Sequence, residues 1–580
     1  MSLPDVHDPL DWRRASGATG LLRTFNDAGA LETADVQVAA RLATLAKESD
    51  ETVMLAVALA VRAVRGGSVC VDLGSVAADV GADGLPWPSP GPWLTALRAS
   101  PLCGTPPVLR LYQDRLLYLD RYWREEQQVC ADVLALLADR PACGTPDLHR
   151  LFPAGFEEQR AAVEVALSQR LTVLTGGPGT GKTTTVARLL AVLVEQAESA
   201  GQRRPRIALA APTGRAAARL LEAVELEIGK LEAIDRDRLS DLRATTLHRL
   251  LGSRPDSSSR FRHHRGNRLP HEVIVIDETS MVSLTMMARL LEAVRPEARL
   301  ILVGDPDQLA SVEAGAVLAD LVDGLGSRDD VRIAALVTSH RFGESIGALA
   351  DAIRVGDADR VLTLLSAGGE HIEWVDHDDP ATRLRPVLLP HALRLREAAL
   401  LGADAVAVAT LDEHRLLCAH RHGPHGIGHW NQLVERWLTE ETGDAHWSPW
   451  YAGRPVLVTA NDYGLGVFNG DSGVTVLHDG VLRAVISGGD RLLEFATSRL
   501  NDIETMHAMT IHKSQGSQAA EVTVLMPPSE SRLLTRELLY TAVTRAQHRV
   551  RIVGSAAEIR AALDRRAVRA SGLALRLRQA

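Results

Sequence analysis

Leu171-Thr-Val-Leu-Thr175 runs directly into Gly176-Gly177-Pro178-Gly179-Thr180-Gly181-Lys182-Thr183-Thr184, and Val186, Leu189, Leu190, Leu193 and Val194 follow at helical spacing. A short β-rich apolar run, a glycine-rich loop and an amphipathic helix, in that order, are the context a phosphate-binding loop requires. The glycines let backbone N–H groups turn inward around a phosphate, and the helix N-terminus adds its partial positive charge. Lys182 reaches terminal phosphates in such a loop, and Thr183 supplies a hydroxyl for Mg²⁺. This stretch makes the fold α/β, with a parallel sheet behind the loop.

Outward from it, the second half of a nucleotide site is expected as a buried strand ending in acid, and Val273-Ile-Val-Ile276 followed by Asp277-Glu278 supplies it. Asp277 is expected in the Mg²⁺ shell, and Glu278 is expected to polarise the attacking water. Leu300-Ile-Leu-Val303 reads as another buried strand and ends in Gly304-Asp305-Pro306-Asp307-Gln308-Leu309, where Gln308 could sense a γ-phosphate. Ser339-His340-Arg341-Phe342 offers a candidate arginine finger. Much later come Thr510-Ile-His512-Lys513-Ser514-Gln515-Gly516 and Tyr540-Thr-Ala-Val-Thr-Arg545-Ala546. The pattern is that of a nucleoside triphosphatase.

Composition narrows the class. The chain has 580 residues, which suggests three to four domains, with 46% hydrophobic and 24% charged residues. No apolar run approaches the roughly 18–20 residues of a membrane helix. Asp5, Asp8 and Asp11 argue against a signal peptide, so a cytoplasmic location is expected. Cys70, Cys103, Cys130, Cys143 and Cys418 have no CxxC spacing and read as buried thiols. A net charge of −9 excludes a polycation that coats nucleic acid indiscriminately, so any such contact must be local. Only Lys47, Lys182, Lys230 and Lys513 among the 64 basic residues are lysine. In a chain that uses arginine almost everywhere, a lysine marks a place suited to a compact ammonium.

The set of motifs resembles the superfamily 1 helicases of the 5′→3′ branch. More narrowly, it resembles the RecD family, the alpha subunits of bacterial exodeoxyribonuclease V (RecBCD) complexes. The features carrying the resemblance run from about residue 20 to 555, including Arg121-Tyr-Trp123, Gly176 to Thr184, Asp277-Glu-Thr-Ser-Met281, Asn469-Gly-Asp-Ser-Gly473 and Lys513-Ser-Gln-Gly516. The resemblance implies ATP and Mg²⁺ as ligands, with Gln159 reading adenine and with Lys182, Thr183, Asp277, Glu278, Gln308, Arg341 and Arg545 around the phosphates. It implies single-stranded DNA contacts at Pro212-Thr213-Gly214-Arg215, Thr246-Leu-His248 and Thr510 to Lys513, segments whose hydroxyls and backbone N–H groups suit phosphates. Two departures stand out: Gln518 replaces a usual Glu near the nucleotide, and Ser283 replaces a common Asp.

The fold implied is two RecA-like P-loop domains, a small helical N-terminal domain and a small SH3-like β-barrel insert. The expected layout is 1–110 for a partner-docking helical domain, 111–145 for a linker helix and 146–335 for the first RecA-like domain, with an Arg-rich protrusion at about 253–271. The second RecA-like domain takes 336–460 and 507–580, around an insert at 461–506 whose Asn-Gly, Asp-Gly and Gly-Gly turns separate strand-like runs. Pro86-Trp-Pro-Ser-Pro-Gly-Pro92 reads as a loop, and the Arg-rich tail from Arg565 as a solvated helix end. His420, His422, His425 and His429 lack completing ligands for zinc. The function implied is an ATP-dependent 5′→3′ DNA helicase and translocase, direction being carried over from the family. Expected partners are single-stranded and duplex-end DNA and RecB-like and RecC-like subunits in a heterotrimer, with the nuclease on a partner. The alternatives are a stand-alone 5′→3′ helicase and a structural subunit with a vestigial ATPase.

Overall fold

A computed structural model describes residues 13–81, 84–141, 146–254, 257–338, 344–377, 379–444, 448–462, 464–488 and 491–580. Two parallel sheets dominate it. The first has six strands in the order Ala334–Leu336, Leu171–Gly176, Arg299–Gly304, Val273–Ile276, Ile207–Ala211 and Ala244–Thr246, every neighbouring pair parallel. Its central strands are predominantly apolar because both faces are covered. Leu171, Val173, Ile274, Ile276, Leu300 and Leu302 point into one core, whereas Leu174, Val273, Val275, Ile301 and Val303 point into the other. That alternation is the period of two that a strand imposes. The second sheet has five parallel strands, in the order Ile372–Val375, Ala546–Val553, Ala519–Leu525, His414–Cys418 and Ala508–Thr510.

Between His414–Cys418 and Ala508–Thr510 the chain makes a five-stranded antiparallel sheet ordered Leu492–Ala496, Val481–Ser487, Ser472–His478, Pro455–Val458 and Ile503–Thr505. His478 pairs with Val481 across Asp479 and Gly480, both at positive φ (49° and 79°), as a two-residue hairpin of the Asp-Gly kind requires. Among the described residues the sheet is open, its two edge strands unpaired with each other, so the expected closed barrel is not seen. Within the expected protrusion, Ser253–Arg254 pairs antiparallel with Ser257–Phe261.

The N-terminal region is helical but carries three short antiparallel strands, Cys70–Asp72, Leu116–Leu119 and Leu109–Tyr112. The hairpin turns at Gln113 and Asp114, both at positive φ (50° and 53°), a conformation uncommon for a glutamine. The expected proline-rich loop is corrected in part: Pro90–Ala99 is a helix with its proline in the first turn, where a missing N–H costs nothing.

The C-terminal tail is the larger correction. After the helix Ala556–Asp564 packs on the helices Ala358–Ala367 and Arg536–Val543 beside the second sheet, the chain leaves them and docks on the first sheet's side of the molecule. The Val69 N–H donates to the Ala570 carbonyl at 2.8 Å, and Arg569 donates to the carbonyls of Ser311 and Glu313. The helix Leu573–Gln579 buries Leu573 and Leu577 against Val317–Gly326, where Gly324 lets the backbones meet; a Cβ there would fall 3.0 Å from the Ala574 Cα. Arg576 lies between two aromatic rings, 4.0 Å from the Trp123 centroid and 4.1 Å from that of Tyr112. Its Nε donates to Glu126 Oε1 at 2.7 Å. Glu126 is fully buried and also accepts from the Tyr118 hydroxyl, the Ser571 hydroxyl and the Gly572 N–H. A buried charge so completely partnered is held in place by the neighbours it would otherwise strand. Arg576→Ala is therefore expected to lower folding stability by about 3–5 kcal/mol. Chemical denaturation of the two proteins checks this, and an unchanged midpoint would show that the tail is dispensable.

Candidate nucleotide site between two parallel sheets

The strand Leu171–Gly176 delivers the glycine loop to the N-terminus of the helix Lys182–Ser199. Gly179 and Gly181 both lie at positive φ (83° and 87°), the left-handed region that side chains resist. A Cβ at Gly181 would also stand 3.2 Å from Gln159 Nε2, so that glycine is needed twice over. Gln159 is buried and donates to the Thr180 carbonyl at 3.4 Å, which fixes its amide against the loop. The Lys182 ammonium spans the loop and donates to the carbonyls of Gly176 (2.6 Å) and Gly177 (2.8 Å). Pro178, Thr183 and Thr184 line the same cavity, about 1050 Å³ in volume.

Asp277 and Glu278 follow the strand Val273–Ile276 and face this cavity. Asp277 Oδ1 accepts the Glu278 N–H at 2.8 Å. Burial, together with the adjacent Glu278 carboxylate, raises the Asp277 pKa to about 6. Glu278 sits at φ 50°, ψ 41°, a strained conformation for a residue with a long side chain. The following turn, Thr279–Met281, is anchored by the Thr279 hydroxyl on the Ile276 carbonyl at 3.0 Å. Backbone strain of this kind collects where a side chain must be aimed.

The second sheet completes the cavity wall. Arg545, at the end of the helix Arg536–Val543, is buried, and its Nη2 donates to Gln308 Oε1 at 2.8 Å. Burial pulls its pKa down, while Glu278 and Asp305 push it up. The Gln308 amide in turn donates to Asp305 Oδ2 at 3.0 Å, and the Tyr540 hydroxyl donates to the same oxygen at 3.0 Å. Two backbone links run alongside: the Leu309 N–H donates to Thr541 Oγ1 (2.9 Å), and Gln515 Nε2 donates to the Leu309 carbonyl (2.6 Å). Gln308 and Arg545 were legible in the sequence, but Asp305 and Tyr540, which bind them into one chain, were not assigned. Their only signal was position, three and five residues from Gln308 and Arg545. Gln518 Oε1 accepts from Arg219 Nη2 at 2.8 Å on the cavity's rim, so an amide here serves as an acceptor for arginine. Ser283 caps the helix Leu284–Ala293, accepting from the Met286 N–H and donating to Glu313. Arg341 lies outside the described residues.

The other three segments meet at the C-terminal edges of the strands. Thr213 caps the helix Gly214–Gly229, and Thr246 caps Leu247–Leu251. A Cβ on Gly516 would approach Ala216 Cβ to 3.2 Å and Thr213 Oγ1 to 3.7 Å, so the 212–216 and 510–516 segments face each other across the two lobes. Pro212 leads into that turn, and Arg215 reaches Ser472 Oγ and Asp412 Oδ1, each at 3.0 Å. The His248 ring packs edge-on to Phe261 at 5.8 Å. Thr510 is buried and accepts the Lys513 N–H, His512 is half-buried, and the Lys513 ammonium pairs with Glu504 at 2.8 Å. Among the described residues no group of three His, Cys, Asp or Glu side chains is arranged to hold a metal ion.

The raised Asp277 has a measurable consequence. The folded chain holds that proton more tightly than an unfolded carboxyl of ordinary pKa 3.8, so its contribution to stability is lost as pH rises from 3.8 to about 6. At pH 7 the buried charge is a standing penalty. Asp277→Asn, which keeps the acceptor for the Glu278 N–H, should melt above the parent chain at pH 7, with the gap closing towards pH 4. A variant melting below the parent at pH 7 would contradict the burial argument.

Family models match in three places: an AAA domain at residues 159–314, a UvrD-like helicase C-terminal domain at 505–553, and the RecBCD enzyme subunit RecD N-terminal domain at 27–117. The RecBCD enzyme subunit RecD of Mycobacterium tuberculosis (strain H37Rv) is 71% identical over 577 residues, 100% of this chain and 99% of that one. The subunit of the same name from Mycolicibacterium smegmatis is 71% identical over 560 residues, covering 97% of this chain and 99% of its own. The ATP-dependent RecD2 DNA helicase of Deinococcus radiodurans is 31% identical over 460 residues, 78% of this chain but 57% of that protein. With its N-terminal region, nucleotide loop and C-terminal helicase region all matched, the chain belongs to the RecD family of RecBCD enzyme subunits.

Proposed function

We propose that the chain is an ATP-dependent 5′→3′ DNA helicase and translocase, working as the RecD subunit of a RecBCD-type helicase–nuclease on double-strand DNA ends in recombinational repair. The observation that carries this is the cleft. Lys182, Asp277 and Glu278 come from the first sheet, and Arg545 reaches in from the second to meet Gln308. A triphosphate between them would touch both lobes, so the state of the nucleotide would set how tightly they close.

The donor set fits Mg²⁺ as such sites hold it. Thr183 and Asp277 line one cavity, and a hydroxyl and a carboxylate suffice when phosphate oxygens and water supply the rest. Bound there, Mg²⁺ would neutralise charge on the β- and γ-phosphates. Glu278 would take a proton from the water attacking the γ-phosphorus as the bond to the β-phosphate oxygen breaks. Lys182 and Arg545 would balance the charge that develops on the transferred group, with Arg341 as the expected second finger. Pro178 to Thr184 would cradle the phosphates, and Gln159 would face adenine.

The strip formed by Pro212, Thr213, Arg215, Thr246, His248, Thr510, His512 and Lys513 is read as the single-strand track, because it lies at strand C-terminal edges on both lobes. The two parallel sheets are read as RecA-like lobes, the antiparallel insert as an SH3-like unit, and the N-terminal region as the face that docks RecC-like and RecB-like partners. No described helix is long and apolar enough to cross a membrane, and the cytoplasm is the proposed place of work. Lys182→Ala should abolish DNA-stimulated ATP hydrolysis while leaving the melting temperature near that of the parent. The purified chain should open duplexes with a 5′ single-stranded tail and not those with a 3′ tail. Turnover at the parent rate in the variant, or opening only of the 3′-tailed duplex, would contradict the site and the direction respectively.

A further inference from the structure

Strands His414–Cys418 and Ala508–Thr510 lie side by side and parallel, with Cys418 opposite Thr510. Three residues beyond each partner the chain places a cation, Arg421 after one strand and Lys513 after the other. Both therefore emerge at the same edge of the second sheet. Glu504 arrives there from the insert, on the strand Ile503–Thr505 just before the chain re-enters the lobe. Its two oxygens are divided between the cations. Oε1 accepts from Arg421 Nη2 at 2.5 Å, and Oε2 accepts from Lys513 Nζ at 2.8 Å.

Two cations held side by side by one carboxylate are in the geometry that two non-bridging oxygens of a phosphodiester would also satisfy. Lys513 is one of only four lysines in the chain, a place where the chain uses a compact ammonium rather than a guanidinium. The group is open to a strand passing over it: Arg421 is 59% exposed, Glu504 32% and Lys513 26%. A partly exposed carboxylate bridge near the surface contributes modestly to folding, which leaves its two cations available for exchange.

We propose that Arg421 and Lys513 form a seat for one backbone phosphate of single-stranded nucleic acid, and that Glu504 is an internal phosphate surrogate occupying that seat until the strand displaces it. The proposal deepens the reading of Lys513 as part of the track and rests on it. It adds Arg421 as a strand-binding residue and makes Glu504 a competitor. Competition lowers affinity for a resting strand, which a motor that must release each phosphate it passes requires.

The test is binding of dye-labelled oligothymidylate to the full chain without nucleotide, followed by anisotropy over a salt series. Glu504→Gln is expected to bind about two- to five-fold more tightly at low salt, with the gain shrinking as salt screens the cations. Arg421→Gln is expected to bind more weakly and to flatten the log–log salt dependence by about 0.7. In Arg421→Gln/Glu504→Gln, most of the gain from the Glu504 change should vanish. If Glu504 merely positions Lys513, Glu504→Gln will bind more weakly or unchanged, and the surrogate is overturned. An Arg421→Gln slope equal to the parent's overturns the two-cation seat; that substitution is on an exposed side chain and leaves the fold intact. A parent chain that binds no oligonucleotide would remove the track itself, whereas a binding parent with an unresponsive Glu504 variant removes only the surrogate.

Discussion

The hydrogen bond from Arg545 to Gln308 is the contact on which the rest of the arrangement turns. A buried guanidinium needs partners, and Arg545 finds its shortest side-chain hydrogen bond on the opposite lobe, while its own lobe offers two backbone carbonyls and, at 3.5 Å, the Thr544 hydroxyl. Gln308 is committed to Asp305 through its other amide atom, and Asp305 to Tyr540. The two parallel sheets are thereby joined through a polar chain that borders the phosphate loop. Charge arriving in the cavity would act on Arg545 directly, and through it on the position of one lobe against the other.

The C-terminal tail adds a second connection of a different kind. It starts from the second lobe and ends clamped to the first lobe and the N-terminal region, by Arg569, Arg576 and two buried leucines. Opening of the cleft must therefore be absorbed between Ala567, whose N–H donates to Glu537 of the second lobe, and Arg569, or by a hinge elsewhere. The polar chain at the cleft and the tail together hold the lobes at two separated places, which favours rotation over separation as their relative motion.

Much of this was legible in the sequence where backbone geometry is dictated by residue type. Glycines at 179 and 181 and the apolar strands buried on both faces leave little freedom, and the loop, the sheet and the acids at 277 and 278 follow from them. Partnerships between distant segments were not legible. Glu126 and Arg576 are separated by most of the chain, and a short helix with two leucines among arginines carries the pattern of a solvated end. The same holds for Glu504, which reaches the lobe only because the insert folds back beside it. The hairpin at Gln113 and Asp114 escaped because its aspartate has no glycine beside it, as Asp479 has in Gly480.

On this reading Arg545 conveys the nucleotide's charge between lobes rather than merely filling a core. Arg545→Ala tests it most directly, with binding of a non-hydrolysable ATP analogue and single-strand-stimulated ATP hydrolysis measured on the same preparation. Analogue binding is expected within a few-fold of the parent, with loss of the stimulated turnover. Stimulated turnover at the parent level in a folded variant would contradict it.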